Sequence, residues 1–143
     1  MAEVDISGWV VGRVLARQAA RIGGRDYLRP VDGPPVTYAE MDERATRIAN
    51  GLIAAGVAPG DRVMAMLPNG PDFVAVFCGV ARAGAVFVPV NTAFKGAFLE
   101  HVAKVAAARV MIAAPEHLAE LAASAGRMPH LAMVFVAGPV PAI

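Results

Sequence analysis

The strongest constraint on this fold is an alternation that begins after residue 57. Four short runs, Val63–Leu67, Ala85–Val88, Val110–Ile112 and Met133–Val136, are apolar without a break. Unbroken apolar runs of this length are expected of strands buried on both faces. Between them lie three segments that read as helices: Pro71–Ala83, Ala97–Ala107 and Glu116–Ala123. Strand and helix in alternation, joined by short connections, predict an α/β fold. The expected architecture is an open, mostly parallel sheet with helices on both faces and right-handed crossovers. Residues 1–143 read as one such domain, with no internal repeat and no low-complexity linker.

Local chemistry punctuates the pattern. Val57-Ala-Pro-Gly-Asp61 and Pro68-Asn-Gly-Pro71 are turns, and Pro71 suits the first position of a helix. Gly84 ends that helix. On the N-terminal side, Ser7 is placed to cap a helix over Gly8–Arg21, which Gly23-Gly24 ends. Tyr27–Arg29 and Val36–Thr37 read as two strands around the turn Asp32-Gly-Pro-Pro35. The next helix spans Tyr38–Ala55. Thr37 and Glu40 have capping-box spacing. Met41, Ala45, Ile48, Ala49, Leu52 and Ile53 form its apolar stripe, Glu40–Arg44 and Glu43–Arg47 are spaced for ion pairs, and Gly56 is the C-terminal stop.

Composition excludes several function classes. The net charge is +1 and the arginines are scattered, so no basic face suits nucleic acid or an anionic membrane. Cys78 is the single cysteine, which rules out an internal disulfide or a cysteine-based zinc cluster, and its apolar setting points to packing. The apolar stretch 73–90 contains Arg82, Pro89, Gly79 and Gly84, so it reads as helix then strand rather than a membrane span. Met1–Asp5 has no basic stretch of the signal-peptide kind. The expectation is a soluble, cytoplasmic protein.

In an open parallel sheet, ligands bind beyond the carboxyl ends of the strands. The loops to inspect are Pro68–Pro71, Val90–Lys95, Ala113–Pro115 and the tail after Val136. Asn69 and Gly70 precede a helix N-terminus, where free amides can hold an anion, though a turn and cap is the default reading. No dinucleotide fingerprint or Walker loop occurs. Only three threonines and two serines are present, all far apart, which excludes a hydroxyl-rich phosphate loop. His101, His117 and His130 lack metal-ligand spacing and read as solvated. Asp42 and Glu43 lie on the polar face of the second helix and read as solubility charges. Lys95 and Lys104 are the only lysines, and Lys95 sits in a strand-end loop where it could meet an anion.

Three blocks carry a resemblance. Val36–Leu52, then Gly56-Val-Ala-Pro-Gly-Asp-Arg-Val63 with Leu67-Pro-Asn69, then Ala83-Gly-Ala-Val-Phe-Val-Pro-Val-Asn91, follow in the order and spacing of AMP-forming acyl-CoA synthetases. The chain resembles the N-terminal part of that adenylate-forming family over roughly Ser7–Val136. The resemblance implies one subdomain of a larger ligase that joins a carboxylic acid to CoA through an acyl-adenylate, with ATP, magnesium and CoA used by the full enzyme. It also implies that the phosphate loop, the nucleotide contacts and the lysine of the C-terminal domain lie outside this stretch. No catalytic residue carries over, and no metal or cofactor is expected to bind this part alone. Asn91 and Thr92 correspond to a strand end near the nucleotide end of CoA in some members, while a plain strand-ending turn is the default for Asn91.

The implied partners are the remainder of the ligase and, in the whole enzyme, a small carboxylic acid. Apolar residues make up 57% of the chain and charged ones 17%, against about 45–50% and 25% in typical domains. Such a chain can present bare apolar surface. That surface would face the rest of the enzyme or, in the alternative reading, serve a stand-alone interaction module that self-associates. A flavodoxin-like small-ligand binder ranks last, because no loop has the polar density of a phosphate site.

Overall fold

The computed structural model describes residues 10–138. Helix α1 is Val11–Ile22, followed by strands β1 (Asp26–Leu28) and β2 (Val36–Thr37) and helix α2 (Tyr38–Ala54). Then come β3 (Arg62–Met66), α3 (Pro71–Arg82), β4 (Val86–Pro89), α4 (Gly96–Ala106), β5 (Val110–Ala113), α5 (Leu118–Ser124) and β6 (Met133–Val136). The four later strands form one parallel sheet in the order β4-β3-β5-β6, and β1–β2 is a separate antiparallel pair. The α/β expectation holds. The proposed cap Ser7 lies outside the described residues, and α1 starts at Val11 with Val10 before it. The last helix begins two residues later than the pattern suggests, because a 3-10 turn over Pro115–His117 precedes it.

Side-chain alternation along the strands sorts the core into two faces. Val63 and Ala65 of β3 and Leu67 just past it, with Val110 and Ile112 of β5 and Ala114 just past it, pack on Ala49, Leu52, Val76 and Val80 from α2 and α3. Met64, Met66, Met111 and Ala113 point the other way, against Leu99 and Ala103 of α4 and Leu121 of α5. This explains the continuous apolar runs of β3 and β5: both faces are covered. Burying each of the Val, Leu, Ile and Met side chains here contributes on the order of 1.5–3 kcal/mol. β4 departs from the expectation. It is an edge strand, so only one side of its ladder is paired, and Val86 is 48% exposed. Phe87 is its inward anchor, held edge-on by Phe73 and Phe77 of α3 at 5.5 and 5.3 Å.

The α2 cap forms as its spacing predicts. Glu40 N–H donates to Thr37 Oγ1 at 3.3 Å, and Thr37 N–H donates to Glu40 Oε2 at 2.8 Å. At the other end, Gly56 takes φ +82°. Its amide bonds the Ile53 carbonyl at 2.9 Å and the Val57 amide bonds the Leu52 carbonyl at 3.0 Å, a Schellman closure. Gly84 closes α3 the same way, with Ala85 N–H donating to Val80 O at 3.1 Å. Two details differ from the sequence reading. Ile53 is 55% exposed, because one residue past Leu52 is about 100° further round a helix. Arg44 turns to Asp72 at 3.6 Å rather than to Glu40, which is engaged in the cap. The Arg47–Glu43 pair forms at 2.8 Å.

A third core cluster joins α1, α2 and α3 through Leu15, Met41, Ala45, Ala75 and Cys78. Its rim is Arg82. This guanidinium donates to the carbonyls of Gly12 (3.0 Å) and Asp42 (3.1 Å). It also bonds the Asp42 carboxylate and the Thr46 hydroxyl. Asp42 is therefore not a solvated charge that only keeps the helix soluble. It is half-buried, and it neutralises the one charge in the 73–90 apolar stretch. That stretch resolves into α3 and β4, and no described helix is long and apolar enough to cross a membrane.

Candidate functional site

Because β3 to β6 run parallel, their carboxyl ends share one edge, and along it lie the loops after β3, β4 and β5 and the described start of the tail, Ala137 and Gly138. The connections reverse direction there. The chain leaves β3 into α3 on one face and leaves β5 into α5 on the other, so the topological switch point, the place where open α/β sheets bind ligands, lies between the ends of β3 and β5. Asn69, Gly70 and Pro115 are the residues nearest to it in sequence. Asn69 is exposed, and no side chain caps α3. The expected cap at this helix start is absent. Gly70 is in extended backbone, and Pro71 supplies the first helical residue.

Asn91 and Thr92 follow β4, one strand to the side of the switch point. Asn91 is exposed, and its Oδ1 accepts the Ala93 amide at 2.9 Å, while its carbonyl accepts the Phe94 amide at 3.0 Å. This is an Asx turn, which lets Asn end the strand. Thr92 is half-buried. Lys95 is exposed and immediately precedes α4. The first amide of α4, Gly96 N–H, is taken by the Glu120 carboxylate of α5 at 2.8 Å. An anion-binding position at this helix start is thus filled by the protein itself.

The remaining candidates are dispersed. His101 and His130 are exposed, and His117 is half-buried with Nε2 unpartnered. Glu100, beside His101, pairs with Arg127 at 2.6 Å. Among the described residues no group of three His, Cys, Asp or Glu could hold a metal ion. Cys78 is 1% exposed. Burial pushes its thiol pKa up, Arg82 nearby pulls it down, and Asp42 adds to the rise. A thiol held protonated is a packing group rather than a nucleophile.

A groove of about 400 Å³ lies between α2, α3, β5 and β6. Ile48, Leu52, Val76, Ile112 and Phe135 line it, and Arg44 and Asp72 stand on its rim. The segment after Val136 forms one wall of this groove through Ala137 and Gly138. On the opposite side, Phe98 and Val105 of α4 are 73% and 69% exposed. Sequence reasoning missed the roles of Arg82 and Glu120. For Arg82 a signal existed, since a lone charge inside an apolar stretch demands a partner. Glu120 gave none, because its partner is a backbone amide.

The family model described as "AMP-binding enzyme" matches residues 15–141. The chain belongs to the AMP-binding enzyme family. Feruloyl-CoA synthase of an Amycolatopsis species is 45% identical over 97 residues, which cover 67% of this chain and 20% of that protein. The anthranilate CoA ligase AuaEII, solved with anthranoyl-AMP, superposes with a TM-score of 0.85 at 26% identity, over 92% of this chain and 25% of that one. The N-terminal domain of FACL13 from Mycobacterium tuberculosis superposes with a TM-score of 0.82 at 28% identity, over 89% of this chain and 33% of that one. The chain spans about a fifth of the length of the curated relative it matches. Its fold is that of the N-terminal part of the acyl-CoA ligases in this AMP-binding family.

Proposed function

We propose that this AMP-binding family chain is one α/β unit of an ATP-dependent acid–CoA ligase, and that by itself it does not turn over. The whole enzyme would convert a carboxylate, ATP and CoA to acyl-CoA, AMP and pyrophosphate. The observation that carries the reading is the family match over residues 15–141 of a chain that spans a fifth of its relative's length. The residues present do not fit ATP or magnesium. The five serines and threonines are scattered along the sequence, and no acidic cluster occurs among the described residues. Nucleotide and metal therefore belong to other parts of the ligase. Asn91 and Thr92 are proposed as an edge of the CoA channel, supported by their place at a strand's carboxyl end. Relatives are named for aromatic acids, as in feruloyl-CoA synthase and the anthranilate CoA ligase, and for long-chain fatty acids, as in FadD13 of Mycobacterium tuberculosis, so this reading takes a small-molecule carboxylic acid as the substrate and leaves its chain length to the assay. A cytoplasmic location belongs to it too.

The test is pyrophosphate release by the purified chain with ATP, magnesium, CoA and a panel of aromatic and aliphatic acids. No release above the blank is expected, and sustained turnover with any acid would overturn the proposal. A second reading, a self-associating interaction module, is favoured by one observation: Phe98 and Val105 stand exposed two turns apart on one face of α4. Light scattering behind a sizing column separates the two. A concentration-dependent dimer that Phe98→Asp abolishes supports the module, and a monomer at high concentration ends it.

A further inference from the structure

We infer that Glu120 is a positioning residue for the loop 91–96, and through it for CoA; the second half of this inference rests on the reading of Asn91 and Thr92 given above. The loop is fixed at two points. At its start the Asn91 side chain closes an Asx turn on Ala93 at 2.9 Å. At its end Gly96 enters α4 from left-handed backbone, φ +48°, and its amide is held by Glu120 at 2.8 Å. Glu120 lies 24 residues further along the chain, on the next helix. A carboxylate at a helix start makes a charge-assisted bond that the helix dipole strengthens. The four residues between the two points, Thr92 to Lys95, make few other hydrogen bonds: the Ala93 and Phe94 amides bond back to Asn91, and Lys95 O accepts Phe98 N–H at 3.3 Å. Phe94 alone of the four is tied by packing, against the α4 face of the core and on the Phe98 ring at 6.2 Å, which leaves Thr92 and Lys95 on either side of it dependent on the two hydrogen-bonded ends.

The same contact selects what a ligand anion can meet. Glu120 already occupies the start of α4, so an anion at this edge finds the exposed Lys95 rather than the helix end. Releasing Glu120 frees the Gly96 amide and lets Thr92 and Lys95 drift relative to the sheet edge. Arg127–Glu100, at 2.6 Å, still ties α4 to the 3-10 turn that follows α5, and Leu99, Ala103 and Leu121 still pack together, so the helices hold while the loop loosens.

The experiment is solution NMR of the isotopically labelled chain, with coenzyme A as the probe. Variants are Glu120→Ala, Glu120→Gln, which keeps the oxygen acceptor, and Glu120→Asp, which withdraws it by one methylene. Without ligand, exchange of the Gly96 amide is expected to rise tenfold or more in Glu120→Ala and Glu120→Asp, and to stay near the parent rate in Glu120→Gln. Unchanged exchange in the first two overturns the clamp. With CoA, shifts at Thr92 and Lys95 are expected in the parent and in Glu120→Gln, and at least fivefold higher CoA is needed for the same shift in Glu120→Ala. Equal titration in all variants overturns the positioning role. A parent chain that shows no shift at Thr92 or Lys95, while its Gly96 amide still responds to Glu120→Ala, overturns the CoA-edge reading and leaves the clamp standing. Should Glu120→Ala not fold, Glu120→Asp against Glu120→Gln makes the same comparison.

Discussion

Two helical glycines make opposite predictions for the same substitution. A Cβ built on Gly79 of α3 would sit 2.6 Å from Ile48 Cγ2, 2.7 Å from Ile48 Cβ and 3.0 Å from the Ala45 carbonyl. Rotating Ile48 moves its Cγ2 but neither its Cβ nor the carbonyl, so α2 and α3 must separate. Overpacking of this kind costs about 1–3 kcal/mol, and the rigid neighbours argue for the upper end. Alanine regains about 1 kcal/mol over glycine in a helix, leaving Gly79→Ala about 2 kcal/mol less stable. Gly51 of α2 has nothing within 4 Å of its Cβ position. Gly51→Ala should therefore keep the whole gain of about 1 kcal/mol. At about 3 °C per kcal/mol for a chain of this size, Tm should fall by about 6 °C in the first variant and rise by about 3 °C in the second. Urea titrations followed by circular dichroism, with thermal scans beside them, measure both. Equal shifts in the two variants, or a rise in Gly79→Ala, would refute the argument that close helix approach sets the residue at 79.

Arg82→Met should cost about 2–3 kcal/mol, because it leaves the half-buried Asp42 carboxylate without its counter-charge. A double-mutant cycle with Asp42→Asn should recover part of that loss, and strict additivity would sink the pairing. Ala107 ends α4 at φ +49°, a backbone region that disfavours any side chain, so Ala107→Gly should stabilise by about 1 kcal/mol in the same urea assay. The Glu40 carboxyl is held below its usual pKa by the Thr37 amide first and the Thr37 hydroxyl second, with Arg44 helping and burial opposing. A depressed folded pKa means its contribution is present above the unfolded value, about 4.3, and fades as pH falls through the folded value. The stability gap between the parent chain and Glu40→Gln should accordingly narrow in melts taken from about pH 5 downward; a gap constant with pH would count against it.

Features set by near neighbours were legible without coordinates. The α2 capping box, the Gly56 stop and the two-faced strand β3 all follow from residues within a few positions of one another. What escaped the sequence depended on distance along the chain. Asp42 looked like a solubility charge because Arg82 is 40 residues away. Glu40 and Arg44 had ion-pair spacing, but the cap and Asp72 claimed them separately. β4 has the same apolar run as β5, yet only topology decides which strand is at the edge and keeps one side unpaired. At the candidate site the loops and their common edge could be read from strand order. Glu120 could not, because a backbone amide leaves no mark in the sequence.

The attachment of α1 has a consequence for how freely that segment can change. Arg82 grips it by the Gly12 carbonyl, which every amino acid carries. What matters at position 12 is size: an added Cβ would lie 3.2 Å from Arg82 Cβ and 3.3 Å from its Cα. Leu15 supplies the one fully buried apolar side chain of the helix. Any helix with a small residue and an apolar one three positions later meets both requirements. The first helix could therefore be exchanged between distant relatives, or replaced by a designed one, with little regard to its remaining letters.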